Sequence, residues 1–176
     1  RTLRAEVEAA GWSIPWRGHS DTETLLAAIQ LWGMVGPLPR LNGMFAIALW
    51  DRKKRHLLLA RDRAGEKPLY YGVAGGSILF GSELKALTVH PDWQGDIDRD
   101  VLALYLRHAY VPEHHCIYKG FHKLPPAHWV EINEGGISPP VCYWSLAEVT
   151  QAPRRNEAPE TLVRELETRL MSAVGL

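Results

Sequence analysis

The sequence predicts an α+β protein, and three observations carry that prediction. Four short apolar runs of strand length lie close together between residues 44 and 80. Turn-forming residues separate them. Segments whose apolar residues recur three and four apart, the spacing of a helix face, flank this block on both sides. The chain is 46% hydrophobic and 23% charged, which supplies a packed core and argues against wholesale disorder. With 176 residues it fits one domain or one and a half.

The elements follow in order. Thr2 to Ala10 sets Leu3 and Val7 four apart among charges, a short amphipathic helix ended by Gly11. After Trp12-Ser-Ile-Pro-Trp16, Ser20 with Glu23 three residues on reads as a capping box. It precedes Leu25, Leu26, Ala28, Ile29 and Trp32, so a helix is expected to run to Gly33. Met44 to Trp50 (MFAIALW) and His56 to Ala60 (HLLLA) are strands joined by a turn at Asp51-Arg-Lys-Lys54. Leu69 to Tyr71 and Ser77 to Phe80 make two more, divided by Gly75-Gly76. Their near-continuous apolar character implies a sheet covered on both faces.

A helix is expected over Ser82 to Val89, and another capped by Asp98 with Val101, Leu102, Leu104, Tyr105 and Leu106 as its apolar face. Tyr110 to Pro126 reads as a long loop. His128 to Ile132 and Val141 to Trp144 read as paired strands about a turn at Glu134-Gly-Gly136. The polar stretch over residues 147–158, with Pro153, Arg154 and Arg155, reads as a linker. Pro159 to Val174 is helical again and too isolated to bury its stripe, so residues 159–176 are expected to open a second domain after a first spanning 1–146. No internal repeat is visible.

Several function classes are disfavoured at once. Lys plus Arg and Asp plus Glu are both 20, so there is no basic footprint for nucleic acid and no expected membrane partner. No apolar run reaches membrane-span length, and Cys116 and Cys142 make no disulfide framework, so a cytoplasmic protein is expected. His114-His115-Cys116, with His122 and His128 downstream, match no common zinc module, and no metal site is expected. The seven Trp read as core or interface anchors.

Five stretches in order carry a resemblance. They are Gly18-His-Ser-Asp-Thr-Glu23, Leu41-Asn-Gly-Met-Phe-Ala46 with Ala48-Leu-Trp-Asp51, and Ala60-Arg-Asp-Arg-Ala-Gly-Glu-Lys-Pro-Leu-Tyr-Tyr71. Phe80-Gly-Ser-Glu-Leu-Lys-Ala-Leu87 follows, then Tyr110-Val-Pro112 with Lys123-Leu-Pro-Pro126 and His128-Trp129. Together they resemble the later half of the glutamine amidotransferase domain of glutamine-hydrolysing asparagine synthetases, across nearly the whole chain. The resemblance implies an αββα four-layer sandwich of the N-terminal-nucleophile hydrolase type, of which this is the C-terminal part. It also implies that the last helix begins an α/β ATP-pyrophosphatase-type synthetase domain.

In such an enzyme an N-terminal Cys attacks the glutamine carboxamide, and ammonia passes through a tunnel to aspartate that ATP has adenylated. Glutamine, aspartate, ATP and Mg²⁺ are thus implied for the intact enzyme, and none is a cofactor expected to bind this chain. A homodimer is allowed. The chain begins at Arg1 without an initiator Met and stops before the synthetase's Ser-Gly-Gly-x-Asp-Ser loop. It is therefore expected to be an internal fragment whose N-terminal and synthetase segments are missing, with no catalytic residue of its own and no activity alone.

Two positions take site roles from the resemblance. Asp21 would hold the α-ammonium of glutamine, the alternative being a carboxylate that only complements the helix dipole. Met44 would line the ammonia tunnel, the alternative being plain filler of a buried strand. Arg61, Asp62, Gly65 and Pro68 form a structural signature rather than a site. Arg61 and Asp62 are expected to pair with each other or with nearby backbone, Gly65 to allow a positive-φ turn, and Pro68 to fix the start of the next strand. Glu66 and Lys67 fall where a second domain would face them. The Glu66-Lys-Pro-Leu-Tyr-Tyr71 form favours the synthetase type over phosphoribosyl- and fructose-phosphate-transferring types. The alternatives are a related amidotransferase with another acceptor, a sugar acid or β-lactam precursor, or a non-catalytic interaction module.

Overall fold

The structure is a computed structural model and describes residues 2–151, 153 and 156–175. Two compact units divide at Ser145 and Leu146. The first opens with two helices, α1 (Thr2–Ala9) and α2 (Asp21–Trp32). Val7, Ala27 and Ala28 meet at their buried seam, with Leu3, Trp12, Trp16 and Trp32 around it. Small alanines on α2 let the helices close up, and the indoles fill the margins. Gly11 stops α1 at φ +95°, a region unfavourable to side-chain-bearing residues.

Among the described residues, eight strands follow in two sheets. The first holds β1 (Ala46–Asp51), β2 (His56–Arg61), β6 (His128–Asn133) and β7 (Gly136–Ile137) in that order, with β8 (Val141–Cys142) also on β6. The second is β4 (Ser77–Gly81), β3 (Tyr70–Ala74) and β5 (Phe121–Lys123). All pairings are antiparallel. The single covered sheet expected from the apolar runs is therefore two sheets facing each other. Leu57 and Leu59 of β2 and Val130 and Ile132 of β6 pack with Leu69, Tyr71, Ile78 and Leu124 from the second sheet's side. Period-two alternation sends Tyr70, Ala74, Leu79 and Phe121 the other way, onto Leu84, Leu87, Trp93, Cys116 and Tyr118.

Several boundaries differ from the sequence reading. β1 starts at Ala46 rather than Met44 because the Phe45 N–H is taken by the Asp62 carboxylate, 3.2 Å away. β1 is also an edge strand, so Trp50 stays 49% exposed despite its apolar run. The helix expected over 82–89 shrinks to α3 (Leu84–Leu87), whose N-cap Glu83 turns its carboxylate to Lys85, 2.7 Å away, and makes no capping bond. The loop expected over 110–126 contains β5, too short and too polar to show a period. Of the apolar face expected on α4 (Arg99–His108), Val101 is buried while Tyr105 and Leu106 are exposed. Consecutive apolar residues at 101 and 102 and again at 104–106 circle the helix, and one side must face outward.

In the second unit, α5 (Leu146–Thr150) occupies the start of the stretch read as a linker. Pro153 then bars continuation, and the expected Arg154 and Arg155 lie outside the described residues. α6 (Pro159–Val174) has the bounds the periodicity predicts. Its apolar stripe is exposed, with Val163, Leu166 and Leu170 each more than half accessible. No helix is long and apolar enough to cross a membrane, among the described residues.

Candidate functional site

Two places hold the residues that the sequence singles out. The first is the start of α2. Ser20 is its N-cap, and its side-chain oxygen accepts from Thr22 N at 3.2 Å. Asp21 follows, exposed, with Oδ1 accepting from Thr22 N at 2.8 Å. Oδ2 of Asp21 makes no hydrogen bond among the described residues. An exposed carboxylate oxygen that is not engaged by the helix end can accept a hydrogen bond from an ammonium group without displacing an internal partner. Glu23 does not close the capping box expected of it. Its two oxygens reach past Ser20 to Arg17 N at 2.8 Å and Gly18 N at 3.1 Å.

The second place is the crossover between the two sheets. β2 ends at Arg61 in the first sheet and β3 begins at Tyr70 in the second, so residues 62–69 carry the chain across. Arg61 is 2% exposed, and its side chain lies on the same face as Leu57 and Leu59, between the sheets. Its Nε donates to Lys67 O at 2.8 Å, Nη1 to Leu124 O at 2.6 Å and to Glu113 at 3.0 Å, and Nη2 to Gly65 O. Four bonds to three carbonyls and one carboxylate meet most of the guanidinium's donor capacity.

Asp62, 1% exposed, does the converse. Its carboxylate accepts from the N–H groups of Phe45, Ala64, Glu66 and Lys67 at 2.9 to 3.2 Å. Burial alone would raise its pKa, but the N–H donors of Lys67, Glu66 and Phe45 outweigh that and hold it below the usual carboxylate range. Of the two pairings expected for Arg61 and Asp62, backbone is the one adopted, for no ion pair joins them. Gly65 sits at φ +69°, and a Cβ there would meet Pro126 Cγ at 2.8 Å and Arg61 Nη2 at 2.9 Å. Both the turn and the packing of the guanidinium require glycine.

Two partners of this crossover escaped the sequence reading. Glu113 bridges Arg61 and Lys123, at 3.0 and 3.2 Å. Burial opposes its ionisation, but Arg61 and then Lys123 hold its carboxyl below the ordinary value. Tyr143 donates its hydroxyl to Arg61 O at 2.7 Å. Burial and then the nearby Asp62 push that phenol up to about 12. Neither stands within 50 residues of Arg61 in sequence, and no local pattern announces such contacts.

Met44 lies outside any strand and is 64% exposed, so the reading of it as filler of a buried strand is overturned. Phe45 beside it is tied to Asp62 through both backbone groups. Cys116 is buried in the second core cluster, and that burial raises its thiol pKa. No group of three or more His, Cys, Asp or Glu is arranged to hold a metal ion among the described residues. An open apolar groove of about 420 Å³ runs along Ile78, Phe80, Leu87 and Val89, and none of the candidate residues lines it.

Comparison with known proteins gives this arrangement a setting. The glutamine-hydrolyzing asparagine synthetase 3 of Bacillus subtilis (strain 168) is 39% identical over 138 residues, 77% of this chain and 22% of that protein. The putative glutamine-hydrolyzing asparagine synthetase of Mycobacterium tuberculosis (strain ATCC 25618 / H37Rv) is 31% identical over 158 residues, 88% of this chain and 24% of the other. Amidase chyE of Penicillium rubens is 30% identical over 162 residues, covering 90% and 23%. The chain thus spans under a quarter of the length of these relatives. Among solved structures, the glutamine phosphoribosylpyrophosphate amidotransferase of B. subtilis, complexed with ADP and GMP, matches with a TM-score of 0.53 over 81% of this chain and 26% of that one. At 20% identity that likeness speaks for the fold alone. The model of the glutamine amidotransferase domain matches residues 1–144, and the chain belongs to that family.

Proposed function

We propose that this chain is the glutamine-recognising and scaffolding part of a cytoplasmic, glutamine-hydrolysing asparagine synthetase. The observation that carries the reading is the family match over residues 1–144 together with Asp21, whose carboxylate stands at the head of α2 with a free oxygen. In the proposed role Asp21 takes the α-ammonium of glutamine. A site built around that charge rejects amides lacking it, because the carboxylate is then left without its partner. The two facing sheets form the inner layers of a four-layer αββα sandwich. The Arg61–Asp62 crossover fixes their separation and so the geometry in which the carboxamide is presented for attack.

Ammonia released there travels past Met44, whose thioether surface offers no proton, toward a synthetase domain that α6 begins. Aspartate is the acceptor, activated by ATP with Mg²⁺. That chemistry belongs to the intact enzyme, and no residue of this chain is assigned to hold the nucleotide or the metal.

The test uses the full-length protein that carries this chain, with amide-¹⁵N glutamine, aspartate and Mg-ATP. The expected product is ¹⁵N-asparagine, formed with AMP and pyrophosphate. Label appearing only as free ammonia overturns the acceptor.

A further inference from the structure

The loop before α2 is held from two sides. Glu23 accepts from Arg17 N and Gly18 N, one with each carboxylate oxygen. Arg4 Nη1 donates to Gly18 O at 3.0 Å, and Arg4 is itself seated over the Trp16 ring and paired with Glu8 at 3.5 Å. Residues 17–19 make no backbone–backbone hydrogen bond among the described residues, so these side chains set the course of the loop. Past it, Ser20 O accepts from Thr24 N at 3.3 Å and starts the helix.

An ordinary capping glutamate returns to the N–H of the N-cap residue and serves only the helix end. Glu23 goes two and three residues further and serves the loop instead. Asp21 stands between the segment that Glu23 grips and the turn from which Glu23 projects. Its direction therefore depends on bonds that leave its own Oδ2 free.

We propose that Glu23 is a positioning residue for glutamine recognition. Through Arg17 and Gly18 it sets the loop that aims Asp21, and so it determines how strongly the site selects for an α-ammonium group. The inference rests on the assignment of Asp21 given above.

The experiment is steady-state glutaminase kinetics on the full-length protein carrying this chain, with Glu23→Gln, Asp21→Asn and the double variant. Glutaramate, which is glutamine without its α-amino group, serves as a competitive inhibitor. Glu23→Gln keeps the shape but turns one amide N–H₂ toward a backbone N–H. It is expected to raise the glutamine KM roughly tenfold, leave kcat within about twofold and leave the glutaramate inhibition constant unchanged. On the Asp21→Asn background it should add nothing further.

Equal weakening of both ligands would make Glu23 a general support of the fold and overturn the proposal, as would an unchanged KM. Where Glu23→Gln lowers the thermal midpoint too far for assay, Glu23→Asp decides. It keeps the charge but is one methylene too short to reach both N–H groups, and the same selective loss is expected. A normal Asp21→Asn effect with silent Glu23 variants sinks the Glu23 inference alone. An Asp21→Asn variant with unchanged KM removes the Asp21 assignment, and the Glu23 proposal falls with it.

Discussion

The crossover at Arg61–Asp62 and the head of α2 are both built from carboxylates facing backbone N–H groups, yet they work in opposite ways. At the crossover the acceptors and most of the donors are engaged, and both residues are sealed from water. At α2 the carboxylate of Asp21 is exposed and keeps an oxygen in reserve. Saturation fixes a geometry, whereas a vacant acceptor can receive something. The signature motif is thus a fixed joint between sheets, and the inconspicuous Asp21 keeps the open acceptor to which the proposed glutamine role is assigned.

The comparison breaks first at Asp62. Asp62→Ala leaves four buried N–H groups, of Phe45, Ala64, Glu66 and Lys67, without their acceptor. It should cost about 3–5 kcal/mol in denaturant unfolding, close to abolishing the fold. A loss under about 1 kcal/mol would mean that water reaches the site and that it is not saturated. Gly65→Ala comes next, at roughly 2–3 kcal/mol, since it adds both a strained φ and a Cβ against the guanidinium. Tyr143→Phe removes one hydroxyl from Arg61 O and should cost ~1 kcal/mol.

Acid sharpens the contrast. Asp62 and Glu113 have carboxyls held below the ordinary range, so their contribution is complete above that range. It is lost as pH falls through the depressed values, because the unfolded chain then binds protons that the folded one does not. At the other extreme, the Tyr143 phenol is raised to about 12, so its contribution holds below the ordinary tyrosine value and fades as pH climbs through about 12. A pH titration of the unfolding midpoint should show both shoulders in the wild type and a smaller alkaline one in Tyr143→Phe, what is left belonging to Tyr70, Tyr71 and Cys116, which burial also raises. Asp21→Asn is expected to have the smallest effect on stability, within about 0.5 kcal/mol, whatever it does to glutamine recognition.

Legibility in the sequence follows the same division. Local patterns are readable: α6, the caps at Ser20 and Asp98, and the apolar runs of β1 and β2 all stand where periodicity and turn residues put them, within a residue or two. Long-range choices are not. Nothing local tells Leu57–Leu59 from Tyr70–Tyr71 as members of different sheets, and β5 gains its identity only from pairing with β3 about 50 residues earlier. Arg61 and Asp62 could be read as a pair to be satisfied, but whether by each other or by backbone depends on Glu113 and Leu124 arriving from afar. Glu23 misled for a subtler reason, since a capping-box spacing permits a reach beyond the cap that the spacing alone does not reveal.

The arrangement of Arg61's partners also has a consequence in time. Two lie four and six residues away, but Glu113 and Leu124 lie 52 and 63 away. The local bonds can form as soon as the chain turns at Gly65, whereas the distant ones must wait until β5 has been delivered to β3, after the loop-closure entropy of that long excursion has been met. The guanidinium is therefore a late bolt. Weakening its far contacts, as in Glu113→Gln, should leave the refolding rate nearly unchanged and appear as faster unfolding in stopped-flow kinetics. The residence time of the native state, more than the speed of reaching it, is what this buried arginine governs.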